Sequence, residues 1–342
     1  MDPKPRKLLQ NMLAGEDVGA FPCIIPINPP VVAVMKECGV FWPGAHRDAC
    51  LMAELAAACQ ETLRFNAVNV PFDMTVEAEA LGCKILWKEG RGATPQIREG
   101  QCGEGPLDVD EMVLEQGRIP TVLRAISLLR KRYDDSVPVI SFFEGPFTLA
   151  GLVTGVNSMY KYLLKDPGRA REVLNVMARV VTLYATHQLS AGADTAIMLD
   201  PNVMGLTEKQ FTEFVLPLYG EITAAIDRPL ILHICGDVNS ILHSLPHSGF
   251  AAFSFEYPAV RVEAVRKALG THMKIIGSVP TVTHLLQGTK DEVFAVSLEL
   301  IERGVDMLAP SCFTPPESPL ENVRAMKEAI EHWNRNNVIH KN

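Results

Sequence analysis

Eight short apolar runs recur along the chain at intervals filled by longer segments, namely Cys23–Ile27, Ala67–Pro71, Pro138–Phe143, Ala193–Leu199, Pro229–Ile234, Ala251–Glu256, Lys274–Gly277 and Val305–Ala309. Each is too short for a helix and is bounded by turn-forming or charged residues, the pattern of a strand buried on both faces. Most of the intervening segments, among them Arg171–Ser190, Glu208–Ala225, Val260–Leu269 and Asp291–Arg303, carry apolar residues at helical spacing. Strands that alternate with helices pair in parallel, because a parallel neighbour requires a long crossover. Eight such repeats favour a closed (β/α)8 TIM-type barrel over an open sheet. A length of 342 residues would accommodate two small domains or one large barrel, and the repeat count selects a single barrel domain over 1–342. Ser190-Ala191-Gly192-Ala193 and Arg303-Gly304-Val305 place glycine where a helix must stop before the next strand. The segment from Gly90 to Asp108 is too polar and glycine-rich for the core. It reads as an inserted loop or hairpin over one end of the barrel.

Partners are bounded by charge. A net charge of −8 with a pI near 5.6 argues against nucleic acid, which selects a basic face, and leaves small molecules and proteins. The charged start, Met1 to Lys7, offers no signal-peptide core. No apolar run reaches the roughly 18 residues of a membrane span. A cytoplasmic protein with reduced thiols is expected, since its eight cysteines form no dense framework.

Three residues stand apart. His233 and Cys235 close the fifth run, and Cys312 lies just past the eighth. In an extended chain, residues i and i+2 project to the same side, so His233 and Cys235 can grip one ion while Cys312 arrives from elsewhere in the fold. Any one of them alone reads as a buried thiol or a hydrogen-bonded core histidine. All three at strand ends, on the face where barrel active sites lie, point to a metal. One nitrogen and two sulfur ligands with an open fourth position suit catalytic zinc over a hard cation. Glu256 ends the sixth run, and Glu144 and Asp200 follow the third and fourth. Glu144 and Asp200 could orient His233 through its second ring nitrogen or line a substrate pocket, or could equally cap a helix or bond to a loop. Cys23, Cys38, Cys50, Cys59 and Cys83 fall in expected strands or helices and read as core or surface thiols; Cys102 sits in the glycine-rich loop. That loop lacks Gly-x-x-x-x-Gly-Lys, which excludes a nucleotide-binding P-loop.

The stretches His233-Ile234-Cys235-Gly236-Asp237-Val238-Asn239, Ser254-Phe255-Glu256, Gly277-Ser278-Val279 and Gly304 to Cys312 with Pro319-Leu320-Glu321-Asn322 resemble the methylcobamide:coenzyme M methyltransferases of the uroporphyrinogen decarboxylase superfamily. The likeness runs nearly end to end, through Trp42-Pro43-Gly44-Ala45-His46, Glu79 to Cys83, Gln116 to Pro120, Glu144-Gly145-Pro146 and Ala191 to Asp194. It implies that His233, Cys235 and Cys312 bind Zn2+ and that Glu256 can fill the fourth position when no substrate is bound. It also implies a methyl donor, methylcobalamin, carried by a separate corrinoid-binding protein, and a thiol acceptor, coenzyme M. Metal binding deprotonates a thiol whose free pKa is about 8.5, and two protein thiolates leave the bound sulfur electron-rich enough to displace cobalt in line. The sulfonate of coenzyme M would suit a helix N-terminus or a basic side chain. The turn from Ser278 to Thr283, or Arg91 or Arg98 of the loop, could supply it.

Three alternatives stay open. Uroporphyrinogen decarboxylation, cofactor-free in the same superfamily, needs basic residues near the N-terminus, where this chain has Phe21 to Pro30 without an arginine. Another thiol or folate could replace coenzyme M. A non-catalytic corrinoid-protein partner could retain the fold, although the ligand set is intact.

Overall fold

The computed structural model describes residues 4–16, 18, 30–88, 90, 92–97 and 109–338. Nine strands occur there: β1 (Val68–Val70), β2 (Ile85–Leu86), β3 (Gln96–Ile97), β4 (Val139–Glu144), β5 (Thr195–Leu199), β6 (Ile231–Ile234), β7 (Ala252–Phe255), β8 (Lys274–Val279) and β9 (Met307–Pro310). Seven form one sheet in the order β1-β4-β5-β6-β7-β8-β9, and every neighbouring pair is parallel. These are the seven apolar runs from Ala67 onward. The eighth, Cys23–Ile27, lies outside the described residues. The curled parallel sheet ringed by helices is the (β/α)8 barrel architecture that the alternation implied.

The two ends of the sheet come together through their flanking helices. In the last helix, Leu320–Val338, Arg324 Nη2 donates to Thr62 O at 3.0 Å, at the end of the helix Ala49–Leu63 that precedes β1. On the opposite rim, Val32 N–H donates to Pro316 O at 2.7 Å. Across the mouth, Phe142 of β4 meets Phe313, just past β9, edge to face at 5.8 Å between ring centroids. The inserted segment begins as a hairpin in which β2 pairs antiparallel with β3. Trp87, just past β2, covers the guanidinium groups of Arg47 at 3.8 Å and Arg118 at 5.0 Å, an arrangement favoured by the ring quadrupole.

Local sequence explains where the helices begin and end. Asp166 caps the helix Pro167–Ser190 by accepting from Arg169 N–H, and Thr289 with Glu292 forms a capping box on Lys290–Glu302. Gly192 leaves its helix at φ +121°, where a Cβ would also strike Arg130. The segment Glu208–Ala225 carries a π-helical turn at Phe211–Val215, just before Pro217, which has no N–H to continue a regular ladder. Two acidic residues at strand starts fasten the far end of the barrel in the same way. Asp194 accepts from Val139 N–H and pairs with Arg130, and Asp306 accepts from Ile275 N–H and pairs with Arg266. Among the described residues, no helix is long and apolar enough to cross a membrane. The expectation of reduced thiols needs one correction, because Cys83 is disulfide-bonded, whereas Cys38, Cys50, Cys59, Cys235 and Cys312 are free.

Candidate metal centre

The pleat of β6 carries His233 into the barrel mouth, and the chain leaves the strand through Cys235. Cys312 reaches the same point from the loop after β9. His233 Nε2 lies 3.0 Å from Cys235 Sγ, and Cys235 Sγ lies 3.2 Å from Cys312 Sγ. The three donor atoms all fall within 4.8 Å of one another. Gly236 follows at φ +78°, where a Cβ would collide with Met204 Sδ, so the turn that presents Cys235 requires glycine. The bond with Cys235, then contact with His233, holds the Cys312 thiol below the usual range against its burial, and the same shared proton raises Cys235.

Ser254, directly opposite His233 in the register of β6 and β7, has its Oγ 2.9 Å from His233 Nδ1. In the tautomer that carries its proton on Nδ1, the ring donates to that oxygen and turns the Nε2 lone pair toward the two sulfurs. The orienting contact expected from Glu144 or Asp200 is thus made by Ser254. One neutral hydroxyl does that work because strand pairing brings it alongside, a relationship that no sequence spacing encodes. Ser254→Ala should weaken Zn2+ or Co2+ binding about 10- to 100-fold, the usual effect of losing a partner to a metal-bound histidine. Competition with a chromophoric chelator measures it, and unchanged affinity would remove Ser254 from this role.

Glu256 stands beside the group, with its Oε2 accepting from Gly236 N–H at 2.8 Å. Ser278 holds the neighbouring backbone: its Oγ accepts from Tyr257 N–H at 2.9 Å and donates to Phe255 O at 2.5 Å. Asp200 is fully buried and spends its oxygens on Thr148 N–H at 2.7 Å, Phe147 N–H at 3.4 Å and Tyr219 OH at 2.8 Å, fastening the start of the helix Pro146–Thr154. Arg91, Arg98 and Cys102 lie outside the described residues. A small apolar cavity of about 20 Å³ adjoins the three donors and is closed by Met74, Leu199, Pro201 and Phe313. Its walls suit a methyl-sized group and offer water no polar partners of their own.

Behind the mouth lies a buried ionic cluster that the sequence reading missed. Arg118 donates to Asp73 at 2.7 and 3.1 Å, to Glu79 at 2.6 Å and to Thr75 Oγ1 at 2.6 Å, and His46 Nδ1 lies 2.9 Å from Asp73. Burial alone would raise Asp73, but His46 and Arg118 outweigh it and hold that carboxyl well below its ordinary range. At Glu77 burial wins instead, pushing it up to about 7 although it accepts from Glu144 N–H and feels the charge of Arg118. This folded value exceeds the roughly 4.3 of an unfolded glutamate, so the folded state holds the extra proton between the two and stability falls as pH rises from about 4.3 to about 7. Glu77→Gln should remove that loss, making the variant more stable than the parent at pH 8 but not at pH 4. Urea unfolding at the two pH values tests it; an equal effect at both would show that Glu77 does not titrate in this window.

The architecture and the sulfur–nitrogen centre together define a class. Residues 4–333 match the uroporphyrinogen decarboxylase (URO-D) family, and the chain belongs to it. Within that family it groups with coenzyme M methyltransferases. It is 35% identical over 330 residues to the methylated-thiol–coenzyme M methyltransferase of Methanosarcina mazei, covering 95% of this chain and 88% of that relative. It is 32% identical to a methylcobamide:CoM methyltransferase of Methanosarcina barkeri, covering 94% and 96%. A solved methyltransferase from Methanosarcina mazei superposes with a TM-score of 0.90 at 30% identity, covering 96% of this chain and 98% of that one.

Proposed function

We propose that this protein is a zinc-dependent methyltransferase that moves a methyl group from a methylated corrinoid, methylcobalamin on a partner corrinoid-binding protein, to the thiol of coenzyme M. The observation that carries the reading is the convergence of His233 Nε2, Cys235 Sγ and Cys312 Sγ within 4.8 Å at the barrel mouth, beside an apolar cavity. One imidazole and two thiolates are the donor set of a catalytic zinc site with one position left for substrate. Zinc held there would supply the acceptor as thiolate at neutral pH, where a free thiol is only a few per cent ionised.

The chain's own groups do the rest. Ser254 fixes the ring of His233. Glu256, anchored on Gly236 N–H, keeps a carboxylate next to Cys235 and is the candidate fourth ligand before the acceptor arrives. Met74, Leu199, Pro201 and Phe313 exclude water from the space where the methyl carbon is passed. The relatives named as coenzyme M methyltransferases support the acceptor, and the soft donors support a sulfur nucleophile. The test follows the cobalamin spectrum as purified protein meets methylcobalamin and coenzyme M, with and without a zinc chelator. Thiol-dependent demethylation that the chelator stops is expected, and its absence with coenzyme M and other thiols alike would reject the reading.

A further inference from the structure

Cys235 and Cys312 are a thiol pair as well as two metal donors. They come from different loops, one after β6 and one after β9, and their sulfurs lie 3.2 Å apart. A disulfide bond measures about 2.05 Å, so closing the pair takes a shift of about 1 Å. Rotation of the two side chains supplies it while the backbone stays where the sheet holds it. Gly236 N–H donates to Glu256 Oε2 at 2.8 Å, and Ser311 N–H donates to Val279 O at 2.8 Å, which fixes the chain on one flank of each cysteine. Phe313, on the other flank of Cys312, packs edge to face against Phe142. A tetrahedral zinc with Zn–S bonds of about 2.3 Å also keeps two sulfurs side by side, so the pair stays adjacent with the metal in place.

Access and company set this pair apart from the other free thiols. Both cysteines are half-buried, so a small solute reaches them at the barrel mouth, whereas Cys59 is buried and Cys50 is exposed. A thiolate that attacks peroxide becomes a sulfenic acid, which goes on to the irreversible sulfinic acid unless a second thiol condenses with it first. Here the second thiol is already in place. Such proximity favours the intramolecular step over any bimolecular one, so oxidation stops at the disulfide.

We propose that hydrogen peroxide joins Cys235 to Cys312, so that the site loses its metal and methyl transfer is switched off until a thiol reverses the bond. The loss of metal rests on the zinc reading given above; the cross-link rests on the sulfur geometry alone. One thiolate takes an oxygen atom from peroxide and releases hydroxide. The other thiolate then displaces a second hydroxide from the sulfenic sulfur as the S–S bond forms, and the two electrons lost by the sulfurs reduce the peroxide O–O bond. Thiolate is the form of sulfur that binds a metal. Zinc sites of this kind use three or four protein ligands, and after oxidation only His233 and Glu256 remain. Reduction consumes two molecules of a small thiol, which leave as their own disulfide, and the acceptor thiol of the proposed reaction is such a reductant.

The experiment treats zinc-loaded protein with hydrogen peroxide in the absence of thiol, then maps its cysteines by alkylation and mass spectrometry while a chromophoric chelator reports released zinc. A peptide joining Cys235 to Cys312, lighter by two hydrogens than its reduced parts, is expected to appear in step with zinc release and with loss of methyl transfer. Dithiothreitol and added zinc should return both thiols and nearly all of the rate. In Cys312→Ala, the lone Cys235 should instead gain two oxygens and stay oxidised in dithiothreitol. Replacement of Cys38 and Cys50 by alanine should change none of this. Peroxide that carries both sulfurs of the wild type separately to sulfinic acids would overturn the proposal, as would a cross-link that leaves zinc bound, or consumption of Cys50 while Cys235 and Cys312 stay reduced. Protein that forms the reversible cross-link yet never held zinc would sink the proposed function and leave the thiol pairing standing.

Discussion

Cys312→Ala is expected to lose bound zinc and thiol-dependent demethylation together, while the barrel stays folded. Loss of a partner one shell out costs about 10- to 100-fold in affinity, so removal of a direct ligand should cost more than about 100-fold. Without the metal, the acceptor must ionise unaided. Near pH 7 that leaves a few per cent of a free thiol as thiolate, so the rate should fall at least about thirtyfold, and any residue of it should climb as pH approaches 8.5. Cys312 sits half-buried in the loop after β9 and outside the packed core, so the circular dichroism spectrum should not change. Metal content by elemental analysis and the cobalamin assay give the two readouts. A variant that keeps full zinc and full rate would remove Cys312 from the site.

Arg118→Met should damage the fold itself. The guanidinium is almost buried, with side-chain exposures of 6% for Arg118 and 2% for Asp73, and it is the cation that offsets Asp73 and Glu79. Removal of one partner from a buried ion pair leaves the other charge uncompensated, at a cost of about 3–5 kcal/mol. That is a large part of a typical stability of about 5–15 kcal/mol. Urea unfolding should show a lower midpoint, and more so at pH 7 than near pH 3: the depressed Asp73 contributes stability above the unfolded value of about 3.9 that is lost as pH falls toward the folded one. A destabilisation below about 1 kcal/mol, the size of an exposed pair, would mean that water reaches the cluster.

The strands were legible because burial on both faces writes itself as uninterrupted apolar runs, and all seven runs within the described residues are strands of one parallel sheet. The helix between Arg171 and Ser190 was legible through its periodicity, although its true start at Pro167 depends on the cap made by Asp166. The triad His233, Cys235 and Cys312 could be picked out because soft donors at strand ends are chemically unusual. Asp200 was harder to place: an acidic residue after a strand reads alike whether it faces a pocket or, as here, takes up the N–H groups of Phe147 and Thr148. Ser254 and Arg118 fall in stretches that carry the family resemblance, but nothing in the sequence assigned either of them a role. A serine in a strand and an arginine before a helix are ordinary residues, and what distinguishes these two is what lies opposite them.

Composition, hydrophobic period and residue chemistry by themselves determined the parallel α/β architecture and the three soft donors, because both are written in neighbouring residues. The tertiary structure alone decided that donors 77 residues apart meet at 3.2 Å, that Ser254 turns the ring of His233, and that the Glu144 carboxyl is sealed in with no hydrogen-bond partner among the described residues. Those facts depend on strand register and on the closing of the barrel mouth, which bring distant parts of the chain into contact and into a shared dielectric. Neither leaves a trace in the spacing of residues along the chain.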